Sequence, residues 1–121
     1  MDLIIDACGW VAVARGRLNV DLELRSLLGQ PEWVLPSGVQ AELERLDQTE
    51  RGLLLDLVRR RATVVPTPAG LDHPDDHIVA LAKERGAAVL TVDRALKARL
   101  AESGVTIVEV VDGHRLRRID P

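Results

Sequence analysis

Ala88-Val89-Leu90-Thr91 is a continuous apolar run of strand length, and Asp93 follows where a helix cap belongs. Arg94 to Ser103 then reads as a helix stopped by Gly104, and Thr106 to Val111 as the next strand. The same alternation extends outward in both directions. Toward the N-terminus, Asp75 to Arg85 reads as a helix with Ile78, Val79, Leu81 and Ala82 apolar and Gly86 as its stop. Pro66, Pro68 and Gly70 mark a loop after a strand at Thr63-Val64-Val65. Thr49 caps a predicted helix from Glu50 to Arg61, with Leu53, Leu54, Leu57 and Val58 on its inner face. Ser37 and Gln40 form a capping-box pattern before a helix from Gly38 to about Gln48, whose apolar stripe is Val39, Leu43 and Leu46.

Trp33-Val34-Leu35 is a strand closed by Pro36, and Trp10 to Arg15 and Asp21 to Leu28 are helical, with Gly29 as a stop. Leu3-Ile4-Ile5 is a buried strand that runs into Asp6. At the far end, Asp112-Gly113 signals a turn and His114 to Ile119 a short edge strand. The expected fold is α/β. Residues 1–121 form a single three-layer domain, with a mostly parallel central sheet of about five strands flanked by helices.

Composition agrees. A chain of 121 residues, 46% hydrophobic, has one core, and with two Trp and no Phe or Tyr that core must be aliphatic. No apolar run approaches the roughly 20 residues of a membrane span. The start, Met1-Asp2, lacks a basic region before an apolar one, and Cys8 is the only cysteine, so a cytoplasmic protein without disulfides is expected. The net charge of −3 argues against a wholly basic nucleic-acid-binding surface, but not against an acidic metal site with local basic patches.

In an open α/β sheet, ligands bind outside the carboxyl ends of the strands. Asp6 ends the first strand, Glu42 lies early in the helix after the second, Asp75 opens the helix after the third, and Asp93 follows the fourth. All four acids map to one sheet edge. Gathered carboxylates repel, and hard divalent cations with oxygen ligands are the usual compensation. Mg²⁺ or Mn²⁺ fits, as one ion or two, because zinc prefers His or Cys. Each acid also has an ordinary explanation: turn residue for Asp6, helix cap for Asp93, surface residue for Glu42, first-turn acid for Asp75. Their shared edge favours the site reading.

These elements resemble the PIN domain. Leu3-Ile4-Ile5-Asp6 matches its opening strand and acid. Val39-Gln40-Ala41-Glu42-Leu43 matches its "V-x-x-E-L" element, Asp75-Asp76-His77-Ile78-Val79-Ala80-Leu81-Ala82 its Asp-led helix, and Thr91-Val92-Asp93-Arg94-Ala95-Leu96 its "T-x-D-x-x-L". Gly104-Val105-Thr106-Ile107-Val108 suits the last strand. The resemblance implies a metal-dependent endoribonuclease, either a toxin with a partner antitoxin protein or an enzyme of RNA maturation, often a homodimer. Asp6, Glu42, Asp75 and Asp93 would be its catalytic and metal-binding residues, with Asp76 a further candidate. Ala7 and Cys8 depart from the pattern, since Thr or Ser commonly follows the first Asp and Asn or Ser comes next.

Among the basic residues, Arg94 and Lys97 begin the helix beside Asp93, from which they could reach RNA phosphates. Arg59-Arg60-Arg61 and the group Arg115, Arg117, Arg118 read as solvated faces. His73 and His77 read as solvent-exposed, and Cys8 as a small packing residue. Competing functions are a DNA or flap nuclease, for which the chain has little room, and a PIN-like binding or scaffold domain with vestigial acids, which Ala7 favours. A phosphatase of the haloacid-dehalogenase type needs a second Asp where Cys8 stands.

Overall fold

Strands covered on both faces carry unbroken apolar runs, and the centre of this sheet is built from such strands. A computed structural model describes residues 1–15, 19–47, 53–67, 70, 73–112 and 115–121. In chain order the elements are β1 (Asp2–Ile5), α1 (Ala7–Arg15), α2 (Val20–Leu28), β2 (Glu32–Pro36), α3 (Ser37–Asp47) and α4 (Leu53–Arg61). β3 (Ala62–Val65), α5 (Pro74–Arg85), β4 (Ala88–Leu90), α6 (Arg94–Glu102), β5 (Ile107–Val111) and β6 (Arg115–Ile119) follow. The predicted cap at Thr49, the ends at Gln48, Glu50 and His114, the inward faces of Leu53, Leu54 and Leu57, and the turn and loop residues Gly113 and Pro68 lie outside what is described.

The strand order is β3-β2-β1-β4-β5-β6. The first five are parallel, and β6 returns antiparallel along β5, from Ile107 opposite Ile119 to Val111 opposite Arg115. The sixth strand extends the expected sheet on the side where the sequence placed an edge. From β1 the chain winds outward through β2 to β3, then returns to lay β4 on the other side of β1 and winds outward to β5. The winding therefore reverses between β1 and β4, and a crevice opens there at the carboxyl ends of the strands. Ile5 pairs with Leu90 at that end, and the Asp6 N–H donates to the Leu90 carbonyl (3.3 Å), carrying the pairing one residue past β1.

Helices cover the sheet. α1, α3 and α4 pack on one another, while α5 packs on β1, β2 and β4 and against α6. The interior is aliphatic, with Leu3, Ile4, Ile5, Val34, Leu35, Val89, Leu90 and Val108 buried. Trp10 and Trp33 sit in it with ring centroids 5.5 Å apart, and the Arg61 guanidinium lies over the outer Trp33 ring, 4.5 Å from its centroid.

Three differences from the expected boundaries have a visible local cause. α1 starts at Ala7, three residues before Trp10, because Asp6 caps it: the Gly9 N–H donates to Asp6 Oδ1 (2.7 Å). Pro36 lies within β2, opposite Val65 of β3, so proline ends the strand from inside. Ser37 is the first helical residue of α3, and its hydroxyl accepts from the Thr67 N–H (3.1 Å) and contacts the Thr67 hydroxyl (3.2 Å), tying α3 to the segment after β3.

Candidate active site

Each acid takes its place from a local element. Asp6 is the cap of α1 at the end of β1. It is 5% exposed, and its second oxygen, Oδ2, accepts from the Thr91 hydroxyl (2.6 Å). The same Thr91 oxygen accepts from the Asp93 N–H (3.1 Å). One buried threonine thus links the acid after β1 to the acid after β4. Asp93 caps α6, its Oδ1 accepting from the N–H groups of Ala95 (2.8 Å) and Leu96 (3.2 Å). Glu42 lies in α3, half-buried beside Leu43 of the core. Asp75 lies in the first turn of α5, where Pro74 is the first helical residue and His73 is the cap, its Nδ1 accepting from the Asp75 N–H (3.1 Å).

Asp6, Glu42, Asp75 and Asp93 line one cleft of about 400 Å³ at the crevice between β1 and β4. Ala7, Cys8, Arg45, His73, Pro74 and Ile78 complete its walls. Four acids dispersed over 88 residues of sequence converge as the strand-end argument requires. Asp76 does not join them; its carboxylate bonds the Arg99 guanidinium (2.6 Å) on α6. Arg94 and Lys97 are not among the lining residues. Lys97 reaches across to Glu109 of β5 (3.2 Å), a carboxylate that also bonds Arg117, and these two cations hold its acidity stronger than usual.

The electrostatics follow from the convergence. Burial pushes the Asp6 carboxyl up from 3.8 to about 6; the Thr91 and Gly9 hydrogen bonds pull it back, and the charges of Asp75 and Asp93 push it up further. Burial also raises the Cys8 thiol, helped by Asp6, Asp93, Glu42 and Asp75. Cys8 is exposed at the cleft and not a packing residue, and its thiol is held in the neutral form. Of the two histidines beside the acids, His73 is exposed as expected, but His77 is buried at 7% exposure. It fits there because Gly38 presents bare backbone: a Cβ on Gly38 would come within 2.5 Å of the His77 ring.

The donor set suits a hard divalent cation. It is made of carboxylate oxygens, and Asp6 is held by fixed donors while it is crowded by like charge. Among the described residues no group of three or more His, Cys, Asp or Glu is placed to hold a metal ion by itself. A cation here would take one or two of these carboxylates and complete its shell with waters or substrate phosphates.

Sequence reasoning missed Thr91, Gly9 and Arg45. Thr91 was visible in its Thr-x-Asp spacing, which lets a hydroxyl accept from the N–H two residues on. Arg45 was visible as the residue one helical turn after Glu42.

The Asp6 shift has a measurable consequence. Its folded-state pKa exceeds the unfolded value, so between pH of about 4 and 6 the native chain holds a proton that the unfolded chain lacks. Stability in chelator should therefore fall as pH rises through that window, by up to about 3 kcal/mol. Urea titrations at successive pH values test this. A flat profile from pH of about 4 to 6, or the same fall in Asp6→Asn, would remove Asp6 as its source.

A mostly parallel α/β sheet whose switch-point crevice is walled by carboxylates defines an acidic-cleft α/β domain. The family profile described as PIN-like domain matches residues 3–112, so the chain belongs to the PIN-like domain family. Among solved structures it is similar to the PIN domain endonuclease Utp24 (TM-score 0.78, 23% identity, covering 99% of this chain and 92% of that one). It is also similar to a protein from Pyrobaculum aerophilum (TM-score 0.58, 18% identity, covering 82% and 84%). A PilT N-terminus domain protein from Sulfolobus solfataricus is similar as well (TM-score 0.57, 13% identity, covering 90% and 87%). No curated protein matches the chain by sequence.

Proposed function

We propose that this chain is a divalent-metal-dependent endoribonuclease that hydrolyses RNA phosphodiesters in the cleft of Asp6, Glu42, Asp75 and Asp93. The observation that carries the reading is the convergence of these four acids, from four separate elements, on one open cleft at the switch point. Membership of the PIN-like family and likeness to a structure named as a PIN domain endonuclease support it.

The four carboxylates would hold Mg²⁺ or Mn²⁺. When bound, such an ion supplies Lewis acidity to the phosphodiester and lowers the pKa of an attacking water. The chain's residues do the positioning. Gly9 and Thr91 each fix one oxygen of Asp6, and the α6 cap fixes one oxygen of Asp93. Thr91 supplies to Asp6 a hydroxyl that Ala7 cannot. Without cations the cleft repels a polyanion; bound cations would offset that charge, so metal and RNA would occupy it together.

RNA is proposed as the substrate in preference to DNA. The proposal takes a homodimer as the solution form, which light scattering reads directly, and a cytoplasmic setting. Among the described residues no helix is long and apolar enough to cross a membrane. Expression that arrests growth, relieved by a neighbouring small protein, assigns the chain to the toxin branch with that protein as antitoxin; unaffected growth assigns it to RNA maturation.

The primary test incubates purified protein with mixed RNA substrates in Mg²⁺, in Mn²⁺ and in chelator. Cutting with either metal and none in chelator is expected. Protein that is folded, binds no Mn²⁺ by calorimetry and cuts nothing would be a PIN-like binding domain instead.

A further inference from the structure

We infer that Arg45 grips the RNA backbone at the mouth of the acidic cleft, holding a phosphate beside the one that is cut; this rests on the nuclease reading above. Among the described residues lining that cleft, Arg45 is the one arginine or lysine. It stands on α3, three residues after Glu42 and so one helical turn along the same face. It is exposed, and among the described residues it makes no ion pair.

That last fact separates it from most of the surface cations. Arg61 is held by Asp21, Arg85 by Asp2, Arg99 by Asp76 and Arg117 by Glu109. Lys97, which the sequence suggested for this task, is held by Glu109. Arg94, at the start of α6, does not line the cleft. A guanidinium that borders four carboxylates without pairing to any keeps its donor fork available to a ligand. Its planar donors match two oxygens of one phosphate, a geometry that an ammonium cannot reproduce. The cleft otherwise offers RNA only negative charge, so a phosphate contact there falls to this side chain or to a bound cation.

A contact to a phosphate that does not react acts equally on ground and transition states. It sets KM and leaves kcat nearly unchanged. The experiment compares wild type, Arg45→Ala, Arg45→Lys and the control Arg59→Ala, an exposed arginine near the end of α4. Cutting of a single-stranded RNA in Mn²⁺ is followed kinetically, and binding of the same fluorescein-labelled RNA is followed by anisotropy across a salt series. Arg45→Ala should raise KM about tenfold with kcat little changed. It should also flatten the slope of log affinity against log salt by about 0.7, the loss of one phosphate contact on a single strand. Arg45→Lys should restore the salt slope but only part of the KM, and Arg59→Ala should match wild type.

Unchanged KM and slope in Arg45→Ala, with cutting intact, would overturn the inference and leave the nuclease reading standing. A fall in kcat at constant KM would also overturn it, since Arg45 would then act on the reacting group. Wild type that neither binds nor cuts RNA with any metal would end the nuclease reading and this inference with it.

Discussion

Replacing Asp6 by Asn should slow RNA cutting by about a hundredfold to a thousandfold or more, while making the metal-free protein more stable. The two effects have one origin. Asp6 is 5% exposed, and burial together with Asp75 and Asp93 pushes its carboxyl up to about 6, so at neutral pH the folded chain carries a charge it holds at a cost. Asn has nearly the same shape. Its carbonyl can still accept from the Gly9 N–H and cap α1. Its amide can donate to the Thr91 oxygen once that hydroxyl rotates. The helix cap and the β1–β4 junction survive, and the repulsion goes. What is lost is the anionic ligand at the centre of the proposed metal set, and metal stabilisation of a phosphodiester reaction is worth several kcal/mol. Melting in chelator and Michaelis kinetics in Mn²⁺ read the two halves. Asp93→Asn should share the kinetic loss, and Asn caps a helix about as well as Asp, so α6 should persist. Equal cutting by wild type and both variants would assign the activity to another site or a contaminant.

Opposite signs in stability and activity are informative because a residue kept for folding would lose both together. Asp6 accepts two short hydrogen bonds, yet burial and the charges of Asp75 and Asp93 still push its carboxyl up, a cost that the proposed cation would relieve.

The acids were readable because they follow from topology. β1 and β4 are covered on both faces, so Leu3-Ile4-Ile5 and Ala88-Val89-Leu90 are unbroken apolar runs, and the first polar residues after them fall at the crevice. Asp93 was readable as a cap from local chemistry alone. What escaped depends on partners distant in sequence. Asp76 adjoins Asp75 and is a further candidate on paper, and the approach of Arg99 from α6 draws it away from the cleft. Lys97 begins the right helix but meets Glu109 on β5. His77 looks like a surface histidine until α3 brings Gly38 against it. Arg45 lies one helical turn after Glu42, and nothing local distinguishes it from the other surface arginines until the cleft is assembled.

Gly9 gives the sharpest contest between local and tertiary rules. It lies in the first turn of α1, and on helix propensity alone Gly9→Ala should stabilise the chain by up to about 1 kcal/mol. The structure requires the reverse. A Cβ at this position would stand 2.7 Å from the Leu90 carbonyl oxygen, 2.8 Å from Asp6 Oδ1 and 2.9 Å from Ile5 Cγ2. The carbonyl belongs to β4, and it accepts the Asp6 N–H that closes the β1–β4 junction, so it cannot retreat without opening the sheet at the crevice. Forcing extra methyl groups into packed surroundings costs about 1 to 3 kcal/mol. Gly9→Ala should therefore be net destabilised, and Gly9→Val, with its branched side chain, by about 3 kcal/mol, or a melting temperature lower by roughly 10 °C. Both variants should also lose metal-dependent cutting by about tenfold to a hundredfold, because the displaced atom is the carboxylate oxygen that Gly9 itself anchors. Calorimetric melting with and without Mn²⁺ decides the matter. A Gly9→Ala chain that melts above wild type and cuts RNA at the wild-type rate would show that α1 does not approach β4 this closely, and Asp6 would lose the geometry on which its proposed role depends.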